Sequence, residues 1–548
     1  MSRATGVLLI AAIFALSSAA LANAAPRHER AALPRPEVAL QQALAVFRPH
    51  LADPSYRLHG KVDPRGATAL LRNLAASVRQ LSPADRRLAE AILARPTDTG
   101  NGNYTAPKSD FRHICTTHFC VHWVRSTRDA PSLRDRNPRN RVPDWIDRVK
   151  SVMKFVWNKE VVQYGYGAPK PDGNSGSHRG GNPNNKIDIF IQDVGHQGLY
   201  GYCTSDDPKI QVRNDLSGYC VFDDDFSKRQ FPGIHGVNAL KVTAAHEFNH
   251  AIQFKYDFFE DLWFLEATAT NMEADVYPTI HDNYQYFPLS PLSKTDPHRP
   301  IDRWGNSRTV FDGTQYGSWI FFRFLAEYFT NTTHPISTAP NPMFVREIWN
   351  DAKAVPNTTN GGEYSTEAIE TFLAAHGESF PSVFRQFGVA NAAPAAWYKD
   401  GALFKTRAGQ AYTVNPLDGG SARSADLKMT HMSNDYWFFK PGTGASALDI
   451  DADFPSAVTS PRATVLSFDS GGAIVEQEIA LDGNGDGSLP SPITFDSSIA
   501  KVVVVVTNAS TRFTQCNTDF NNPPFFSCFG KPQDDSTSKN YKLDLSAP

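Results

Sequence analysis

Asn238-Ala-Leu-Lys-Val-Thr-Ala-Ala-His246-Glu247-Phe-Asn-His250-Ala-Ile-Gln-Phe254 is the stretch on which the reading of this chain turns. It has no proline, and Asn238 is placed to cap a helix beginning near 238. Residues four apart on a helix lie one turn above one another on the same face, so His246 and His250 point the same way and reach one ion together. Leu240, Ala244, Phe248, Ala251 and Ile252 gather on the other side, which allows that side to be buried. Glu247 is offset by one residue from the imidazole pair. It therefore stands beside the ion rather than on it, where a carboxylate suits the role of general base toward a water.

Two histidines leave a catalytic metal one protein ligand short. Asp261-Leu-Trp-Phe-Leu-Glu266-Ala-Thr-Ala-Thr-Asn-Met-Glu273 follows as a second helical pattern. Glu266 sits among Phe264, Leu265 and Ala267, and a carboxylate in such surroundings is costly to bury without a partner. A cation is one such partner; a place on the solvated side of an amphipathic helix is the alternative.

These residues resemble the gluzincin metallopeptidases, in which the zinc-binding helix is followed by a helix bearing a third, Glu ligand. The matching positions are His246-Glu247-x-x-His250 and Leu262-Trp263-x-x-Glu266-Ala267-x-Ala269. The resemblance implies zinc on His246, His250 and Glu266, with Glu247 as general base. Glu273, seven residues further on, is the alternative ligand or a partner to a ligating histidine. Gln315-Tyr316-Gly317-Ser318-Trp319 is similar to a downstream helix whose Tyr hydroxyl steadies an oxyanion, which implies that role for Tyr316. A packed aromatic is the competing reading, since Trp319, Phe321, Phe322 and Phe324 surround it in sequence.

A longer resemblance, to a family of exported bacterial metalloproteases, covers most of 109–400. It is carried by Cys120-Val-His-Trp123, Val142-Pro-Asp-Trp-Ile-Asp147, the strand pattern at 187–191, the helix with both histidines, and Tyr316-Gly-Ser-Trp319. Ala267 stands where aminopeptidase relatives carry Gly, and their Gly-x-Met-Glu-Asn segment is missing. Cleavage within a chain is therefore expected rather than at its amino end. The implied activity is that of a secreted zinc peptidase acting on a protein or peptide substrate. The alternative from another class is a secreted binding or adhesion protein whose metal site is structural or vestigial.

Around this centre the chain divides into four stretches. Arg3, the apolar run Val7–Leu16 and Ala22-Asn23-Ala24 read as a signal peptide over 1–24. Residues 25–108 are helical in pattern at 38–47 and 67–94, with a linker at 95–108, and read as a pro-region or a packed helical subdomain. Residues 109–420 carry a mixed α and β pattern, with strands read at 119–124 and 187–191 and helices at 143–159, 238–256, 262–275, 314–329, 342–353, 365–375 and 379–389, the expected zincin-like peptidase domain. From 421 to 548, short strands separated by Gly, Pro, Asp and Ser suggest a β-sandwich. The whole is thus α+β in class.

The 548 residues are 41% hydrophobic and 20% charged with a net charge of −3. No basic face for nucleic acid is indicated. No later segment is apolar enough to span a membrane, and a monomer is expected. Six cysteines fall in local pairs, Cys115/Cys120, Cys203/Cys220 and Cys516/Cys528, as suits disulfides in an oxidising compartment. The run His113, Cys115, His118, Cys120, His122 leaves structural zinc as an alternative there. Asp482-Gly-Asn484-Gly-Asp486-Gly487 and Asp223-Asp224-Asp225 are weak calcium candidates, with solvated turns as the default.

Overall fold

The computed structural model describes residues 34–53, 61–98, 104–172, 186–305, 309–331, 339–404, 415–514, 516, 526–535 and 540–548. The signal peptide expected at 1–24 lies outside them. Among the described residues no helix is long and apolar enough to cross a membrane. The protein is a mixed α/β chain with several sheets.

Three helices lead the chain: α1 (Pro36–Phe47), α2 (Ala67–Ser77) and α3 (Pro83–Leu93), with a two-residue strand β1 (Lys61–Val62) before α2. The helical pattern expected over 67–94 is broken in two. Ser82 caps α3 by accepting from the Asp85 amide, and Pro83 occupies the first turn, where its missing N–H costs nothing. All of α2 is buried, Arg72 included. That guanidinium donates to the carbonyls of Phe258 (2.8 Å) and Glu260 (2.7 Å), so an interior charge is spent on backbone oxygens that would otherwise lack partners. Arg95, read from sequence as the start of a linker, is buried and clamps Asp172, Asp188 and Asp206. The N-terminal helices share one continuous apolar core with the sheet and helices that follow.

The central sheet runs β2-β3-β4-β6-β5, from β2 (Arg112–Cys115), β3 (Phe119–Trp123), β4 (Ile187–Gln192), β5 (Gly201–Thr204) and β6 (Tyr219–Asp223). Strands β3, β4 and β6 are parallel and β2 and β5 antiparallel. Ile187 to Ile191 is buried on both faces, as expected of a parallel strand covered on each side. Helix α4 (Asp144–Trp157) continues into a π-helical turn over Asn158–Gln163.

Helix α5 (Gly236–Asp257) carries the two histidines and α6 (Leu262–Val276) packs against it. The cap expected at Asn238 is not used. Gly236 has φ +58°, a turn open to glycine at little cost, and the helix begins there, two residues early. After β7 (Thr309–Val310), which pairs in parallel with β1, come the short helix α7 (Thr314–Gly317) and α8 (Trp319–Tyr328). The helix expected over 314–329 is interrupted at Ser318 (φ −72°, ψ −6°), and Gly317 beside it packs so closely that a Cβ there would stand 2.4 Å from the Leu289 carbonyl oxygen. Helices α9 (Met343–Asp351), α10 (Thr366–Ala375), α11 (Phe380–Ala392) and α12 (Pro394–Trp397) complete this part.

The C-terminal region stacks two five-stranded sheets. In chain order its strands are β8 (Asn415–Leu417), β9 (Ser421–Leu427), β10 (Ser433–Pro441), β11 (Ala447–Asp453), β12 (Pro461–Asp469), β13 (Ile474–Ile479), β14 (Asp486–Ser488), β15 (Ile493–Thr494), β16 (Ile499–Asn508), the two-stranded pair β17 (Phe513–Thr514) and β18 (Lys531–Pro532), and β19 (Tyr541–Ala547). One sheet is ordered β13-β12-β16-β10-β8; the other is β14-β11-β19-β9 with β15 beside β11. The valine run of β16 is explained by its two faces. Val502, Val504 and Val506 fill the space between the sheets, while Val503 and Val505 join a second cluster with Val389 and Ala392 of α11.

The described cysteines form the disulfides Cys115–Cys120, Cys203–Cys220 and Cys516–Cys528. Both sulfurs of the 113–122 cluster are thereby committed, and no thiolate remains there for a structural zinc.

Candidate metal centre

Helix pitch brings His246 and His250 to one face of α5, and α6 crosses with Glu266 opposite them. The Nε2 atoms of the two imidazoles are 3.1 Å apart. Glu266 Oε2 lies 3.3 Å from the first and 3.4 Å from the second. Ions bound tetrahedrally at about 2.0–2.1 Å separate their ligands by about 3.3 Å, the scale of this triangle. His250 and Glu266 are buried and His246 nearly so.

The outer edges of both rings are held. His246 Nδ1 meets Glu273 Oε1 at 2.8 Å. His250 Nδ1 meets Gln253 Oε1 at 2.7 Å. The orientation of the Gln253 amide is set by its neighbours: its nitrogen faces the Leu265 carbonyl at 3.0 Å and Asn249 Oδ1 at 2.8 Å, groups that accept. Its oxygen therefore faces His250, whose hydrogen sits on Nδ1. Asn249 in turn donates to Glu160 of the π-helical turn, which is wholly buried and pushed well above the usual carboxylate range by that burial. Both imidazoles thus aim a lone pair inward, toward each other and toward a carboxylate oxygen. Such an arrangement is repulsive unless a cation sits among the three. A proton relieves one pair of contacts; a divalent ion relieves all of them.

Charges here are strongly coupled. Burial acts against the Glu266 carboxylate, but His250 and His246 outweigh it and hold it down at about 2. Burial acts against charge on His246, while Glu266 and Glu273 raise it well above the ordinary imidazole value. Glu247 is raised by burial, with the two histidines working the other way.

Glu247 and His246 line a small cavity of about 60 Å³ with Arg65, Tyr200, Glu273, Asp282, Tyr286 and Tyr316. Burial, then the charge of Glu273, pushes Asp282 up to about 7. The Tyr316 ring centre is 6.0 Å from that of His246, and its hydroxyl donates to the Arg65 carbonyl at 2.5 Å. All five residues expected to carry chemistry, His246, Glu247, His250, Glu266 and Tyr316, are therefore brought together, and Glu273 stands behind His246 rather than beside Glu266. Sequence reading missed Gln253, Arg65 and Thr68, whose hydroxyl oxygen lies 3.2 Å from Glu247 Oε2. Gln253 was visible at i+3 from His250; the other two had no signal near the motif.

Two further groups fall short of such a centre. Cys120, His122 and Asp188 also converge, but Cys120 is in a disulfide and Asp188 is shared between His122 and Arg95. Asp193, Asp223 and Asp224 bring one oxygen each within 4.8 Å of one another. Asp223 there accepts from the amides of Gly195, Asp225 and Phe226, as a turn-building carboxylate does, and Asp225 points elsewhere, accepting from the Ser227 amide. Asp482 accepts three backbone amides within its own loop, which is the solvated-turn reading.

No protein-family model matches the chain, and no curated protein matches it. Among solved structures, the pre-peptidase C-terminal domain of collagenase from Bacillus anthracis is similar over 24% of this chain and 93% of that one, at 11% identity and a TM-score of 0.14. A likeness at that score carries no argument about fold or activity.

Proposed function

We propose that this chain is an exported zinc-dependent peptidase of gluzincin type, cleaving within protein or peptide chains. One observation carries the reading: two imidazole Nε2 atoms and the Glu266 carboxylate meet within 3.1–3.4 Å, with Glu247 lining the cavity beside them. The donor set, two neutral nitrogens and one carboxylate with both outer nitrogens held, is suited to zinc. When bound, the ion supplies Lewis acidity at the inner edge of the cavity.

Glu247 takes a proton from the attacking water, whose oxygen joins the carbonyl carbon. Its raised proton affinity in this buried setting fits that duty. The one hydrogen of the Tyr316 hydroxyl goes to the Arg65 carbonyl in this structure, and support of the developing oxyanion requires that hydrogen to turn from the carbonyl to the oxyanion. Glu247 then passes its proton to the leaving nitrogen as the carbon–nitrogen bond breaks. Glu273 and Gln253 keep the two imidazoles in register throughout.

The test is hydrolysis of casein and of a proteome-derived peptide library by the purified chain, with and without a chelator. Chelator-sensitive cleavage at internal bonds is expected. A zinc-loaded sample that cleaves nothing across the library overturns the proposal in favour of a binding role.

A further inference from the structure

We propose that Thr68, in the first turn of α2, is a positioning residue of the catalytic centre that holds the Glu247 carboxylate. The inference rests on the peptidase reading of that centre. Thr68 Oγ1 lies 3.2 Å from Glu247 Oε2 across a separation of 179 residues. The same oxygen accepts from the Cys203 amide of β5 at 3.0 Å. A hydroxyl has one hydrogen, and with its oxygen taken by an amide that hydrogen goes to the carboxylate. Thr68 is therefore a fixed donor, locked to the sheet on one side and to the base on the other.

The surroundings make this a built contact. Thr68 is buried and lies on a helix that is buried along its whole length. Arg72, one turn further along, anchors α2 to the carbonyls of Phe258 and Glu260, which join α5 to α6. Before α2, Arg65 gives its carbonyl to the Tyr316 hydroxyl, and β1 pairs with β7 just ahead of that tyrosine. One short N-terminal segment thus touches both side chains assigned to proton transfer and oxyanion support. A free glutamate has three rotatable side-chain bonds, whereas one oxygen tethered to Thr68 leaves Oε1 as the oxygen free of that tether and the carboxylate plane restrained. On this view residues 61–77 are a working wall of the centre, not a pro-region to be cut away.

The experiment compares the full chain with its Thr68→Val and Thr68→Ser variants, using casein and a fluorogenic peptide selected from the library. Thr68→Val is expected to lower kcat about tenfold with KM and bound zinc unchanged, the loss of one hydrogen bond to a charged group. Thr68→Ser, which keeps the hydroxyl, is expected to restore most of that loss. If the valine form does not fold, Thr68→Ala is compared with Thr68→Ser in its place. A readout independent of turnover is thermal unfolding of the Thr68→Val, Glu247→Ala and double variants: the contact requires non-additive shifts, and additive shifts remove it. A kcat unchanged by Thr68→Val, or a serine form as impaired as the valine form, overturns the assignment while leaving the peptidase reading intact. A kcat raised by Thr68→Val also overturns it and makes the segment an inhibitory strap. An inactive wild-type chain removes the peptidase reading and this assignment together.

Discussion

Glu266 and Glu273, two turns apart on α6, grip opposite edges of the His246 ring, the first 3.3 Å from Nε2 and the second 2.8 Å from Nδ1. The seven-residue spacing puts both carboxylates on one helical face, and the imidazole inserted between them divides their duties. On the proposed reading, Glu266 faces the ion and Glu273 orients the ring. Glu266→Ala is expected to abolish stoichiometric zinc binding. Glu273→Gln is expected to weaken zinc about ten- to a hundredfold while retaining the site. Competition titration against a chromophoric chelator separates the two outcomes.

Glu247 is not a member of the proposed ligand triangle, so the proposal requires zinc content and turnover to separate at this residue. Glu247→Gln is expected to keep zinc at full occupancy and to lower kcat by at least about a hundredfold. Metal analysis and peptide hydrolysis on the same sample check it. Retained turnover refutes the base assignment.

Tyr316 lines the cavity, donates its hydroxyl hydrogen to the Arg65 carbonyl and packs its ring against Tyr286. Tyr316→Phe keeps the ring and removes only the hydrogen-bonding group. A fall in kcat of about a hundredfold, with KM and thermal stability little changed, is the expected result. A variant with wild-type kcat and a lowered melting temperature identifies Tyr316 as a packing residue.

His431 lies fully buried between Asp302, 2.9 Å from its Nε2, and Asp535, 2.7 Å from its Nδ1, and joins the C-terminal region to the segment before β7. Burial opposes its charge, yet the two carboxylates raise it to about 9. The folded value lies above the unfolded one, so its stabilisation is fully present below about pH 6.5 and is lost as pH rises through 9. Thermal melts between pH 6 and 10 should show a loss on the order of 3 kcal/mol from this group. The loss should be absent in His431→Gln; an equal loss in that variant refutes the assignment.

Much of the architecture was legible because it depends on neighbours along the chain. The strands expected at 119–124 and 187–191 occur at Phe119–Trp123 and Ile187–Gln192, and the helices expected at 365–375 and 379–389 at Thr366–Ala375 and Phe380–Ala392. Strands β2, β5 and β9 were not read, since their residues are polar, short or half-exposed and show little alternation. The N-terminal region shows no chemical motif in sequence because neither Thr68 nor the Arg65 carbonyl leaves a pattern there.

The sequence by itself determined that His246 and His250 face one way, because helical pitch is local and needs no partner. It also placed Glu266 and Glu273 on a common face, for the same reason. Tertiary packing alone decided which edge of His246 each carboxylate takes, which sheet strand holds Thr68, and that Arg95 is an interior clamp. Those outcomes depend on how α5, α6 and α2 cross. Crossing is set by the summed fit of many apolar side chains, a quantity that no single stretch of residues contains.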